Sequence, residues 1–158
     1  MTTKQELSDG LRMVLREGQR VMSGFGPDDW TRKVLDEGGT WTRKQAYCHI
    51  TGVAEVTPGL VGGLANSGGQ DVAASLDIDA FNAQLVAAKE ALSEQEVQEA
   101  FTSAFEKLIA FVDTLPDEQL QAPAKFRQLE GQVGDIMDGV LVLHGMAHIY
   151  GAGGSPLG

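Results

Sequence analysis

Three stretches of this sequence open on a Ser or Thr that stands three residues before a Glu or Gln, and each continues with apolar residues at helical spacing. They begin at Thr3 with Glu6, at Thr42 with Gln45 and at Ser93 with Glu96. The spacing is that of a capping box, in which the hydroxyl accepts from a backbone N–H one turn into the helix. The Glu or Gln side chain reaches back to the N–H of the cap. The signature fixes where a helix starts, and the amphipathic run behind it fixes which face must be buried. A chain built this way is committed to packing helices against one another.

The runs can be followed in order. Behind Thr3, Leu7, Leu11, Val14, Leu15, Gly18, Val21 and Met22 form one stripe, closed by Ser23-Gly24-Phe25-Gly26-Pro27. Behind Thr42, the core face consists of Ile50, Val53, Thr57, Leu60 and Leu64, and Pro58 removes one helical hydrogen bond, so a kink is expected. Residues 79–92 read as helix, and behind Ser93 the face runs through Val97, Phe101, Ala104, Phe105, Leu108, Phe111, Val112 and Leu115 to Pro116. The last helix, from about Glu130 to Tyr150, is apolar around most of its circumference between Ile136 and Ile149. A helix of that kind is central in a core or covered by another subunit, so a homodimer is expected.

These patterns predict helices near residues 3–24, 42–65, 79–115 with a break near 92, and 130–150. The fold class is all-α: a four-helix bundle with long connections between helices 1–2 and 3–4. Trp30 and Val34 should anchor the first connection, and Pro123 lies in the second. Residues 1–150 are expected to form a single domain, and 151–158 a flexible Gly-rich tail.

The formal net charge is −10. Such a surface repels phosphate backbones and anionic lipid, so neither nucleic acid nor a membrane is an expected partner. Cys48 is the single cysteine, which rules out an intrachain disulfide and points to a reducing cytoplasm. The N-terminus lacks the basic and apolar regions of a signal peptide. The longest apolar stretch, Val140 to Tyr150, is interrupted by two histidines and falls short of the ~20 residues a membrane span needs.

Those two histidines carry the functional reading. The chain has three histidines, and His144 and His148 stand four residues apart on its most apolar helix. Side chains at that spacing are ~5–6 Å apart at Cβ, and two imidazoles so placed can reach one metal at ~2.0–2.1 Å. Such a pair also occurs as two satisfied or exposed histidines. Here both share a face with Val133, Met137, Val140 and Leu141, where buried imidazoles need partners for their ring nitrogens. A shared ion supplies one. His49, on the second helix beside its apolar face, would complete a three-histidine site with positions left open for water or substrate.

Trp41-Thr42, then Cys48-His49-Ile50, then His144-Gly145-Met146-Ala147-His148 resemble the DinB/YfiT-like superfamily. That superfamily includes the metal-binding domain of mycothiol-dependent maleylpyruvate isomerases. The stretch Asp77-Ile78-Asp79-Ala80-Phe81-Asn82 resembles the one before the third helix in the isomerase-like branch, which carries glutamate where His144 stands. The resemblance implies a DinB/YfiT-like bundle holding one divalent ion, zinc or nickel, on His49, His144 and His148. It implies a low-molecular-weight thiol such as mycothiol or bacillithiol as cosubstrate. The reaction would be S-transfer to a small electrophile, or thiol-assisted isomerisation. A non-catalytic metal-binding or small-ligand-binding protein with a stress-related role stays open, because no carboxylate lies one helical turn from any of the histidines.

Other residues have two readings each. Cys48 points about 100° around the helix from His49 and reads as a packed, inert thiol. Trp41 reads as a packing residue at the helix start. Tyr47 and Tyr150 could border the site or cap the bundle end, and Asn82 could serve the site or a helix cap. Gly139 and Gly145 each cost about 1 kcal/mol in a helix relative to alanine. Gly145 either leaves room beside a metal or lets helices approach closely.

Overall fold

A computed structural model of the chain describes residues 1–34 and 41–153. Helix α1 spans Lys4–Ser23, α2 Arg43–Asn66, α3 Ile78–Ala87 and α4 Glu94–Thr114. A short α5, Asp117–Leu120, leads into an antiparallel hairpin of β1, Pro123–Phe126, and β2, Leu129–Gln132. The last helix is composite. It comprises α6, Val133–Met137, a π-helical segment, Asp138–Leu143, and α7, His144–Gly151.

All three capping boxes form. Thr3, Thr42 and Ser93 each accept from the N–H three residues on, and Glu6, Gln45 and Glu96 each answer the N–H of the cap. Asp77 caps α3, accepting from the Ala80 N–H at 3.0 Å. The α1 stripe is buried as its spacing requires, from Leu7 to Met22, with Leu15 partly buried. Both α1 and α2 pack on α4 and on the last helix rather than chiefly on each other, an arrangement that the long first connection permits. Trp30 and Val34 are buried anchors of that connection.

The structure departs from the sequence reading in three places. Helix α3 ends at Ala87, short of Leu92, and turns fill the gap before Ser93. The second connection is not bare loop, because the hairpin occupies residues 123–132. The last helix consequently starts at Val133 rather than near Glu130. Residues 129–132 belong to β2, and Asp135 Oδ2 accepts from the Gln132 N–H at 3.1 Å to begin the helix. Alternation is hard to see in a strand as short as Leu-Glu-Gly-Gln, so nothing in the local sequence announces it.

The helix enclosed most completely is α2, buried continuously from Ala46 to Ala54. The last helix instead leaves Leu143 66% exposed. The described chain runs past α7 to Gly153, with Ala152 fully buried and its N–H bonded to the His148 carbonyl at 2.8 Å. Residues 154–158 of the expected tail lie outside the described residues. No helix among the described residues is long and apolar enough to cross a membrane.

Candidate metal centre

His49 comes from the buried stretch of α2, while His144 and His148 come from consecutive turns of α7. Their donor nitrogens lie within 4.8 Å of one another. His144 Nε2 is 2.9 Å from His148 Nε2 and 3.3 Å from His49 Nε2. Nitrogens bound to one ion at ~2.0–2.1 Å in an octahedral or tetrahedral arrangement stand roughly 2.9–3.4 Å apart. Both of these separations fall in that interval.

The π-helical segment sets the orientation of His144. The backbone N–H of His144 donates to the Gly139 carbonyl, five residues back, where a regular α-helix would use Val140. The imidazole takes that acceptor instead, with Nδ1 3.2 Å from the Val140 oxygen. A carbonyl can only accept, so the neutral ring carries its proton on Nδ1 and presents a bare lone pair at Nε2. That lone pair points at the other two histidines.

His49 is held differently. It is 1% exposed, and its Nδ1 is buried without a hydrogen-bond partner among the described residues. Packing fixes its ring instead. Trp41 lies against it with ring centroids 4.8 Å apart, and reaches His148 at 5.9 Å. Trp41 therefore does more than pack the helix start, since it covers one side of the histidine cluster. Burial, with the neighbouring His144 and His148, pushes the His49 pKa down to about 3. Burial lowers His144 as well, against the raising effect of its Val140 bond. Both rings are thus neutral at pH 7, as metal ligation requires.

The other side opens into a cavity of about 710 Å³, into which His49 and His144 project. Its walls are mainly apolar, with Leu60, Ile78, Phe81 and Leu129 among them, and Asn82 lies in the lining. Among the described residues, none in the lining is acidic. Asn82 is thus a cavity residue, whereas α3 is capped by Asp77. Tyr47 and Tyr150 do not line the cavity, and Tyr47 is buried among Phe25, Trp30 and Phe101.

Cys48 is buried, with Sγ 3.8 Å from the Lys89 carbonyl, and burial raises its pKa. It is outside the histidine cluster, as the helical rotation from His49 demands. Gly139 lines the cavity, close to Leu129. At Gly145 an added Cβ would stand 3.3 Å from Val14 Cγ1, so this glycine serves the close approach of α7 to α1.

The model of the mycothiol maleylpyruvate isomerase N-terminal domain family matches residues 11–140. The chain belongs to this family. The matched segment includes His49 and stops before His144 and His148. Among curated proteins, none matches the chain. Two solved structures share the fold. A histidine-to-alanine variant of the mycothiol-dependent maleylpyruvate isomerase has a TM-score of 0.75 and 14% identity, over 97% of this chain and 62% of that one. The mycothiol-dependent maleylpyruvate isomerase itself has a TM-score of 0.73 and 15% identity, over 96% of this chain and 61% of that one. The family member described here thus spans about three-fifths of the length of those structures.

Proposed function

We propose that this chain is a divalent-metal-dependent enzyme that uses a low-molecular-weight thiol such as mycothiol or bacillithiol, either transferring that thiol to a small electrophile or isomerising the electrophile with its help. The observation that carries this reading is the convergence of the three histidines, two of which, His49 and His144, line the cavity. Family membership supports the thiol. His49, His144 and His148 are the proposed ligands, and zinc or nickel suits three imidazoles. A divalent ion held there would supply a full positive charge that favours thiolate over thiol at neutral pH.

The chain's own residues do the rest. His144 keeps its proton on Nδ1, bonded to the Val140 carbonyl, so its Nε2 lone pair is fixed in direction. Trp41 shields His49 and His148 from one side, and the apolar cavity wall excludes water from the other. The electrophile lies in the cavity, whose lining offers no carboxylate among the described residues to act as a base. That same lack favours the second reading, a non-catalytic binder of metal or small ligands.

The test is metal analysis of protein purified without chelator, followed by assays of thiol consumption with small electrophiles. Thiol-dependent turnover that disappears with the metal supports the enzyme. Metal at one ion per chain with no turnover across thiols and electrophiles favours the binder. The proposal extends to a cytoplasmic, single-domain homodimer, for which the exposed Leu143 on the last helix is the supporting feature. A monomer mass by light scattering at high concentration would count against the dimer.

A further inference from the structure

Among the described residues seven large apolar side chains are exposed; Met1, Met13 and Leu143 stand apart, and the other four share one site. Val56, Val72, Leu76 and Leu129, each 37–39% exposed, all line the cavity that opens from the histidines. Isolated exposed apolar residues are ordinary, but a group around one concave site marks a surface kept for an apolar ligand. The volume, about 710 Å³, is that of a small-molecule pocket, typically ~300–1,000 Å³.

The charge distribution at this site is also selective. The chain carries 22 acidic and 12 basic residues, yet among the described residues the lining includes no acid and, of Lys and Arg, Arg127 alone. Arg127 occupies the turn between β1 and β2 with φ 56, a left-handed conformation uncommon for a residue with a side chain. The turn is pinned from outside the hairpin. Asp71 Oδ1 accepts from the Arg127 N–H at 2.9 Å and from the Ala73 N–H at 2.9 Å, while the Val72 N–H donates to the Lys125 carbonyl at 3.3 Å. Asp71 thus engages the backbone of the turn, and the guanidinium forms no ion pair among the described residues. Gln128, the other turn residue, and Ser75 add polar groups to the lining.

From this arrangement we infer that the cavity binds an amphipathic monocarboxylate, its apolar body along Val56, Val72, Leu76 and Leu129 and its carboxylate on Arg127. Arg127 is the specificity-determining residue. Its fork of N–H donors matches a carboxylate, and a lining without acids among the described residues lets an anion enter a protein that is otherwise strongly acidic. The inference rests on the proposed function only in taking the cavity as the substrate site. It does not require the ion.

The test is calorimetric titration of the full chain with decanoate, decanol and decyltrimethylammonium, with metal content measured on every sample. Decanoate should bind at one site per chain and at least tenfold more tightly than the other two. Arg127→Gln should weaken decanoate about tenfold or more and leave decanol unchanged. Val56→Glu, at an exposed position, should weaken decanoate while sparing decyltrimethylammonium. His148→Ala removes a proposed ligand that does not line the cavity, and should lower metal content without changing decanoate affinity. Equal binding of the three probes, or wild-type decanoate affinity in Arg127→Gln, would overturn the inference. Loss of decanoate binding in His148→Ala would overturn it as well, by placing the carboxylate at the metal, with the metal reading intact. Decanoate binding to a wild-type chain that takes up no metal would sink the metal reading alone.

Discussion

The Nε2 atoms of His144 and His148 face each other at 2.9 Å across one turn of α7. Two neutral imidazoles in that position either share one N–H or aim two lone pairs at a common cation. His144 has its proton on Nδ1, bonded to Val140, so its Nε2 needs a donor or an ion. His49 adds a third nitrogen at 3.3 Å. The first expectation follows directly. His49→Ala, His144→Ala and His148→Ala should each weaken metal binding by more than about a hundredfold, beyond the ~10–100-fold typical of losing an outer-shell partner. Cys48→Ala should retain full metal, because its thiol faces the Lys89 carbonyl. Metal per chain after identical dialysis decides the matter. Full metal content in the His49 variant would refute the three-histidine site.

Acid should destabilise the metal-free chain in a window set by His49. Its folded pKa is pushed down to about 3, against ~6.5 in an unfolded chain. The folded state therefore binds fewer protons between these values. Stability is fully present above the unfolded value and is lost as pH falls from there toward the folded one. Between pH 7 and pH 5 this single group should cost about 2 kcal/mol, and His144 shifts in the same direction. Urea denaturation in chelator at pH 7, 6 and 5 measures it. His49→Leu should flatten the dependence, and an unchanged slope in that variant would assign the effect to other groups.

How much of this was legible beforehand differs from element to element. The starts of α1, α2 and α4 follow from Thr3, Thr42 and Ser93, because a capping box is local and its partners are three residues apart. The histidine cluster could be read from His144-x3-His148 together with one histidine on the second helix. What the spacing could not show is the π-helical segment at Asp138–Leu143, which frees the Val140 carbonyl for His144. That segment depends on packing around the last helix rather than on any residue pattern. The hairpin was missed for a similar reason, since its strands are four residues each and it is secured by Asp71, fifty-six positions from Arg127. The sequence neighbours of Trp41 indicate only a helix start, whereas its ring contacts include His148, more than a hundred positions further along the chain.

Two kinds of glycine should respond oppositely to alanine. At Gly18 an added Cβ would fall 2.3 Å from Phe101 Cζ, in the contact between α1 and α4. Overpacking of that kind costs about 1–3 kcal/mol, which exceeds the ~1 kcal/mol that alanine gains in helix propensity. Gly62 and Gly63 in α2 are exposed and meet nothing within 4 Å. Alanine at either should stabilise by up to ~1 kcal/mol. Thermal or urea unfolding of the three variants gives the signs, and a stabilised Gly18→Ala would show that α1 and α4 can move apart without loss.

Trp41 offers a direct optical report on the cluster. The chain has two tryptophans. The Trp41 ring centroid lies 4.8 Å from His49 and 5.9 Å from His148. Trp30 packs instead against Phe25 and Tyr47, at 5.1 and 6.2 Å. A transition ion with unpaired electrons, such as Ni²⁺ or Co²⁺, quenches an indole that stacks on its ligands far more than a remote one. Titrating Ni²⁺ into the metal-free protein should therefore lower fluorescence along a saturable curve that ends at one ion per chain. Trp41→Phe should abolish most of the quenching yet keep the stoichiometry, because phenylalanine preserves a flat face against His49. Trp30→Phe should leave the quenching curve unchanged. Trp41→Ala should in addition weaken binding, since it opens one side of the cluster to water and removes the packing that holds the His49 ring. Were Trp30→Phe to remove the signal and Trp41→Phe to preserve it, the ion would lie away from the three histidines.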